Sequence, residues 1–279
     1  MSEERLSKRE RQKRRREAKL AEQRAAEARS RRVRLLIFAL IGVVFAGLVG
    51  AAVVNQRAQR AELAAREAQT QARLDDLGCT EDEQMEDRGQ GHLDGQTLAQ
   101  RPPEAIYPDR PATSGEHHNN WFITGTYDQL LDERVLVHNL EHGYVVVYYT
   151  EGADADQVAD LKAAAEEHIE GPYKKVIVAP WDGELADGAN FAYTAWTQRQ
   201  LCEQYDPDVF ELFLRNHHSG AGDAPEKHLP PHLTPQDGID PGDEPFLLPP
   251  LGEERAPEGM EEDGTIPTDG ATEAEETTS

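Results

Sequence analysis

The chain has 279 residues, with 29 Lys and Arg against 53 Asp and Glu, and its formal net charge is −24. Residues 1–34 hold 14 Lys/Arg and 6 Asp/Glu, a net charge of +8, so the rest of the chain carries −32. Because phosphate binding needs clustered cations, we expect no nucleic acid as a partner of the acidic part.

An uncharged run of 20 residues, 35–54, separates the basic arm from the acidic part. That length crosses the hydrocarbon core of a bilayer as a helix, so a purely soluble protein is not expected. We expect an uncleaved, single-pass anchor in the cell membrane with the N-terminus in the cytoplasm, because the apolar run and its basic flank are both longer than in a signal peptide. A cleaved signal is the alternative. The basic cytoplasmic arm, residues 1–34, is then predicted to contact anionic lipid.

Two further segments have biased compositions. Residues 55–77 are rich in Ala, Gln, Arg and Glu and predict a helical stalk. Residues 220–279 hold 10 of the 17 prolines and 16 Asp/Glu. This composition is typical of an acidic disordered tail, in which the apolar patch 246–251 is either part of the tail or a docking element.

The remaining residues, 78–219, suffice for one extracytoplasmic domain. It begins with a long irregular loop region, because residues 80–127 are crowded with turn-forming residues. The patterns that follow predict strands at 134–140, 144–149, 174–181 and 190–201 and helices at 153–170 and 206–219. We expect an α+β fold, a two-layer sandwich of order β-α-β-β-α with both helices on one face of a mainly antiparallel sheet; a thioredoxin-like arrangement is the alternative.

The chain has two cysteines, Cys79 and Cys202, and both follow the predicted anchor. In an oxidising compartment such a pair predicts a disulfide, here across 123 positions. Two unpaired buried thiols are the alternative.

Four histidine positions lie in or beside the irregular region: His92, His117 or its neighbour His118, His138 and His142. Imidazole is the commonest metal ligand among side chains. A tight turn at HNLEHG would place His138 and His142 on one side, where they would chelate a metal ion together with His92 or His117. Glu141 would not bind the ion but would orient one of the rings through a hydrogen bond. The alternative is that these rings only form hydrogen bonds with buried backbone groups and bind no metal.

The string from His138 to His142 also matches H-x-x-E-H, the inverted zinc-protease pattern. That motif needs a continuous helix, whereas the flanking segments are predicted to be strands, so we do not expect peptide hydrolysis. The sequence has no Gly-rich phosphate loop, no G-x-S-x-G and no C-x-x-C, and nucleotide hydrolysis, acyl transfer by that route and dithiol chemistry therefore lack a signal. The remaining histidines of the last helix and the tail, His217, His218, His228 and His232, are interpreted as helix caps or incidental ligands.

Several sequence blocks resemble, in this order, the bacterial family called domain of unknown function 3105: GHLDG at 91–95, PATSGEHH at 111–118, VHNLEHGYVVVYY at 137–149 and TAWTQRQLCEQYDPDVFELFLRNH at 194–217. The resemblance covers about residues 91–226. It implies no activity, since none is assigned to the family, but it implies a membrane-anchored or exported protein of the kind common in actinobacteria. The family's recurrent histidines fall at His92, His117, His138 and His142, with Glu141 between the last two. The family usually has Pro where Ala112 and Glu116 stand.

The sequence thus predicts non-catalytic binding of copper or zinc by His92, His117, His138 and His142, because an all-imidazole set suits both metals and excludes magnesium and calcium. One alternative is an interaction module of the cell envelope that binds an unidentified protein without metal. The other is an enzyme that uses the same metal with an open coordination position for water.

Overall fold

The structure is a computed structural model and describes residues 8–249. It divides the chain into two compact units, residues 1–66 and residues 67–279. Residues 250–279, the second half of the predicted acidic tail, lie outside the described residues, as do residues 1–7 of the predicted basic arm.

The first unit is helical. Helix α1 spans Lys8–Gln71 and includes the uncharged run 35–54, whose side chains are exposed. Within the described part of the chain, α1 is the one helix that is long and apolar enough to cross a membrane, judged by length and composition. The predicted stalk is helical to Gln71, and a short 3-10 turn, Asp75–Leu77, follows.

The second unit begins earlier than predicted. Its first residue is Glu67, whereas the sequence places the domain boundary at residue 78. Leu74 is buried in the apolar cluster of this unit, and Arg73 pairs with Asp206. The end of the predicted stalk therefore belongs to the folded domain, because Leu74 and the partly buried Leu77 pack there.

The second unit is a mixed α+β structure, which confirms the predicted class. Its helices are α2 (Gly95–Ala99), α3 (Pro103–Ile106), α4 (Glu133–Glu141), α5 (Ala155–Glu170) and α6 (Pro207–His217). Its strands are β1 (Glu83–Gln84), β2 (His92–Leu93), β3 (His117–His118), β4 (Gly125–Thr126), β5 (Val145–Tyr149), β6 (Val176–Pro180), β7 (Phe191–Ala195) and β8 (Gln198–Cys202).

Among the described residues, six strands form a mixed sheet in the order β1-β8-β7-β5-β6-β4, and β2 pairs with β3 in a separate parallel ladder. In the large sheet β6 runs parallel to β4 and β5, while the β5-β7, β7-β8 and β8-β1 pairs are antiparallel. The single strand predicted over 190–201 is in fact the β7-β8 hairpin, because the chain turns at Thr197, whose φ is +57°.

The sheet is covered on both faces, so the prediction of two layers is wrong. Val145 and Val147 of β5 pack against α5 and α6, whereas Val146 and Tyr148 pack on the opposite side, where α4 lies. A strand buried on both faces is a continuous apolar run instead of an alternating one, and the sequence YVVVYY is such a run. The domain therefore has three layers, with α4 and the loops on the face opposite the two long helices.

The segment predicted as a strand over 134–140 is helix α4. The side chain of Asp132 accepts a hydrogen bond from the Arg134 backbone N–H and caps the helix, and every residue of α4 is buried. A short apolar run that is buried on all sides has the same periodicity in a helix and in a strand. The helical conformation brings His138 and Glu141, three residues apart, onto one face.

Residues 222–249 pack on the domain, which corrects the prediction that a disordered tail begins at residue 220. Ile239, Phe246 and Leu248 are buried in the apolar cluster that contains α4. The backbone N–H of Leu248 donates to Asp132 Oδ2 at 2.8 Å, and that of Phe246 donates to Leu130 O at 2.9 Å. Composition favours disorder here, but these few apolar side chains and backbone hydrogen bonds hold the segment in place.

Cys79 and Cys202 form the predicted disulfide. Cys202 ends β8, and Cys79 precedes β1, which pairs with β8. The disulfide therefore joins the start of the domain to an edge of the large sheet.

Candidate metal centre

Two short elements bring together the residues of the candidate site. The parallel ladder between β2 and β3 places His92 opposite His117. Helix α4 contributes His138 and Glu141 from one face. The candidate site therefore lies where the irregular N-terminal loops meet the last turns of α4.

The four side chains present their donor atoms to one another. One ligand atom from each of His92, His117, His138 and Glu141 lies within 4.8 Å of all the others. Glu141 Oε2 is 3.1 Å from His117 Nε2, 3.2 Å from His92 Nε2 and 3.8 Å from His138 Nε2. A tetrahedral ion with bonds of about 2.0–2.1 Å holds its ligands roughly 3.4 Å apart, so these atoms need to approach by about 1.4 Å at most.

Backbone carbonyls fix the tautomers of two of the rings. His117 Nδ1 lies 2.7 Å from Gly115 O, and His138 Nδ1 lies 2.9 Å from His118 O. A carbonyl oxygen only accepts, so both Nδ1 atoms carry the hydrogen and donate it. In the neutral rings, the Nε2 lone pairs therefore face the cluster, which is the arrangement that metal-ligating histidines show when a carbonyl orients them.

Burial and neighbouring charges set the protonation states. Burial lowers the pKa of His138 far below the ordinary value, and the charges of His117, His142 and His92 lower it further, so this ring is neutral. Burial raises the pKa of Glu141, but the hydrogen bond with His117 and the positive charges that His117 and His92 carry when protonated outweigh this and leave the pKa below the usual 4.5. Once an ion displaces the protons on the ring nitrogens, the site would offer nitrogen lone pairs and a carboxylate, a donor set that a divalent transition-metal ion takes.

The site is closed on most sides. The side chains of His117, Glu141 and His138 are 0%, 2% and 3% exposed, whereas that of His92 is 43% exposed. The approach from solvent is therefore on the side of His92.

His142 lies in a neighbouring group and not in this one. Its ligand atom gathers with those of His138 and Glu226, again all within 4.8 Å, and its Nδ1 lies 2.8 Å from His232 Nε2. Burial lowers the pKa of His142 to about 3, with a further contribution from the charge of His232.

The structure thus brings together three of the four histidines predicted as ligands and replaces His142 with Glu141. The carboxylate of Glu141 lies among the donor atoms, not behind them as predicted. The reason is the helical conformation of α4, which places Glu141 and His142, three and four residues after His138, on opposite sides of that ring, so that each belongs to a different group.

The helix required by H-x-x-E-H is present up to Glu141, so the reason given for setting the motif aside is wrong. The geometry still differs from the protease pattern, in which both histidines of the motif bind one ion. Here the rings nearest the Glu141 carboxylate are His92 and His117, which come from the β2-β3 ladder.

Glu226 of the neighbouring group and His232, the partner of His142, come from the segment that was predicted to be disordered. Glu226 reaches α4 because its backbone N–H donates to Glu141 O at 3.0 Å, and His232 is buried beside His142. Trp121 packs on this group, with its ring centroid 4.8 Å from that of His142 and 4.6 Å from that of His232. The partners are 84 and 90 positions from His142 in the sequence, so no local pattern pairs them.

Part of the chain matches a known protein family. Residues 101–232 match the family described as "Protein of unknown function (DUF3105)". No curated protein and no solved structure matches the chain. The matched range includes His117, His138 and Glu141 but begins after His92. The resemblance seen in the histidine blocks is thereby confirmed: residues 101–232 of this chain match the DUF3105 family.

Proposed function

We propose that this protein binds one divalent transition-metal ion, zinc or copper, through His92, His117, His138 and Glu141. The observation that carries the proposal is the pair of hydrogen bonds from His117 Nδ1 to Gly115 O and from His138 Nδ1 to His118 O. These bonds turn both buried Nε2 atoms toward an ionised carboxylate. An ion that takes the place of the protons on these atoms would meet both lone pairs and the carboxylate together.

The donor set suits zinc or copper. Imidazole is favourable for both metals, and one carboxylate completes a four-ligand site, whereas magnesium and calcium take oxygen ligands. A full set of four protein ligands is typical of sites that store, carry or are stabilised by the ion. The carboxylate also reduces the net charge of the bound divalent ion, which favours its burial.

The proposal extends to the location of the domain. The run 35–54 would anchor the chain in the membrane, the basic arm 1–34 would lie on anionic lipid at the cytoplasmic side, and the disulfide-closed domain would lie outside. The disulfide supports an oxidising compartment for the domain. Protease added to intact cells is then expected to digest the domain and leave the basic arm, and a protected domain would contradict this orientation.

The experiment that tests the metal site uses the full chain without an affinity tag, purified in detergent and stripped with a chelator. Zinc and copper are titrated in competition with a chromophoric chelator, and bound metal is measured by mass spectrometry. The variants are His92→Ala, which changes a half-exposed side chain, and Glu141→Gln, which keeps the shape of the carboxylate. His228→Ala is the matched control, because this histidine is exposed and belongs to neither group.

We expect one equivalent of metal in the unaltered chain and in His228→Ala. Loss of one ligand is expected to weaken binding on the order of 100-fold in each of the other two variants, since removal of even an orienting partner costs 10–100-fold. The proposal is wrong if the unaltered chain binds neither metal, or if the two ligand variants bind as tightly as the control.

A further inference from the structure

The neighbouring donor group, formed by His138, His142 and Glu226, shares His138 with the candidate site. The ligand atoms of His138, His142 and Glu226 lie within 4.8 Å of one another, and the rings of His138 and His142 are 4.5 Å apart. Because His138 Nδ1 donates to His118 O, its Nε2 is the atom available to both groups. One nitrogen lone pair therefore faces two sets of partners.

The contacts of His142 allow it to act as a ligand. Its Nδ1 lies 2.8 Å from His232 Nε2, and its Nε2 lies 3.2 Å from Glu226 Oε2. One proton must lie between the two facing ring nitrogens. If His142 Nδ1 donates that proton to His232, its own Nε2 keeps the lone pair and, with Glu226, forms a second pair of donors.

The two groups reach solvent through different residues. Each has one ligand that is partly exposed, His92 at 43% in the first group and Glu226 at 40% in the second. The shared His138 lies between them and is 3% exposed. Trp121 packs against both His138 and His142, with ring centroids 4.9 Å and 4.8 Å away, and so lies beside both groups.

We propose that His138, His142 and Glu226 form a second, weaker position for the same metal ion, which exchanges with solvent past Glu226. This inference rests on the proposed function and adds a route by which the ion enters and leaves. A single lone pair on His138 Nε2 cannot bind two ions at once, so the two positions are occupied in turn.

The second position is the weaker one for two reasons. It offers three ligands, whereas the first offers four. In addition, the Lys175 side chain is buried beside it and donates from Nζ to His142 O at 2.6 Å, so a positive charge stands close to the incoming cation. The ion is therefore expected to spend most of its time in the first position.

The test uses the full chain in detergent with zinc as the probe. The first position is disabled by the double variant His92→Ala/Glu141→Gln, and the second by Glu226→Gln, which changes a half-exposed side chain. Glu151→Gln is the matched control, since this glutamate is exposed and belongs to neither group. Affinity is measured by chelator competition, and the rate of zinc loss by stopped-flow transfer to excess chelator.

We expect the unaltered chain to bind one zinc ion. Glu226→Gln is expected to change the zinc affinity less than threefold but to slow zinc release at least fivefold. In the first-position variant, one weakly held zinc remains, and adding Glu226→Gln weakens it at least a further tenfold. His142→Ala is expected to behave like Glu226→Gln, and Glu151→Gln is expected to change neither quantity in either background.

The second position is refuted if Glu226→Gln leaves both the release rate and the residual affinity of the first-position variant unchanged. Sharing is refuted if the unaltered chain binds two zinc ions and Glu226→Gln reduces this number to one. If instead the first-position variant binds zinc as tightly as the unaltered chain, the proposed function itself fails.

Discussion

Asn139 fastens the loop that carries His117 to the helix that carries His138. Its side chain accepts a hydrogen bond from the backbone N–H of Phe122 at 2.9 Å and donates one to the carbonyl of the same residue at 2.8 Å. Both Asn139 and Phe122 are fully buried. Neither backbone group can turn to water if the amide is removed.

Asn139→Ala is therefore expected to leave a buried N–H and a buried C=O of Phe122 without their partners. Each such group costs about 1–3 kcal/mol, so we expect a loss of about 4 kcal/mol in the free energy of unfolding. That is a large part of the ~5–15 kcal/mol that typically stabilises a domain.

The assay is urea unfolding of the full chain in detergent, followed by tryptophan fluorescence in the presence of a chelator. Asn216→Ala is the matched control, because this asparagine is exposed on α6, and its replacement is expected to change stability by less than about 0.5 kcal/mol. A loss below about 1 kcal/mol for Asn139→Ala, or one equal to that of the control, would refute the role assigned to this amide.

Three further predictions concern the stability of the domain. Burial lowers the pKa of His218 from 6.5 in the unfolded chain to about 4 in the folded one. Because the unfolded chain therefore binds the proton more tightly, the free energy of unfolding should fall by about 1 kcal/mol per pH unit from pH 6.5 toward pH 4. Urea unfolding with chelator present should show a flatter profile for His218→Gln, and an equal slope would contradict this. Replacing Cys79 and Cys202 together by Ser opens a loop that the disulfide closes across 123 positions and should lower the free energy of unfolding by about 2–4 kcal/mol. An unchanged urea midpoint would argue against a stabilising disulfide. Gly143→Ala should lower the free energy of unfolding by about 1–3 kcal/mol more than Gly183→Ala. Both glycines have a positive φ, but only at Gly143 would the new Cβ meet backbone atoms, at 3.1 Å. Equal thermal midpoints of the two variants would refute that contact.

Elements with local signals were predictable from the sequence. Helix α5 begins after Asp154, whose side chain caps it, and ends at Gly171, as the capping residue and the Gly-Pro pair predict. Strand β5 follows from its β-branched and aromatic run. In both cases neighbouring residues alone decide the conformation.

Helix α4 and the packed segment 222–249 were not predictable in this way. Every residue of α4 is buried, so its apolar residues mark no single face and periodicity cannot distinguish a helix from a strand. The conformation of the later segment depends on contacts such as that of Leu248 with Asp132, which are 116 positions apart in the sequence. Tertiary packing decides both.

The candidate site shows the same division. The histidine blocks identify His92, His117 and His138 because these residues stand out in type and spacing. The place of Glu141 among the donor atoms depends on the helical conformation of α4, and the pairing of His142 with His232 spans 90 positions. The residue types were therefore predictable, whereas their grouping required the fold.

The most direct test of the central claim is X-ray absorption spectroscopy at the zinc edge on the full chain loaded with one equivalent of zinc. The structure predicts three imidazole nitrogens and one carboxylate oxygen at about 2.0–2.2 Å, and the loss of one imidazole in His92→Ala. A spectrum with one imidazole or none, or one that His92→Ala leaves unchanged, would contradict the metal centre described above.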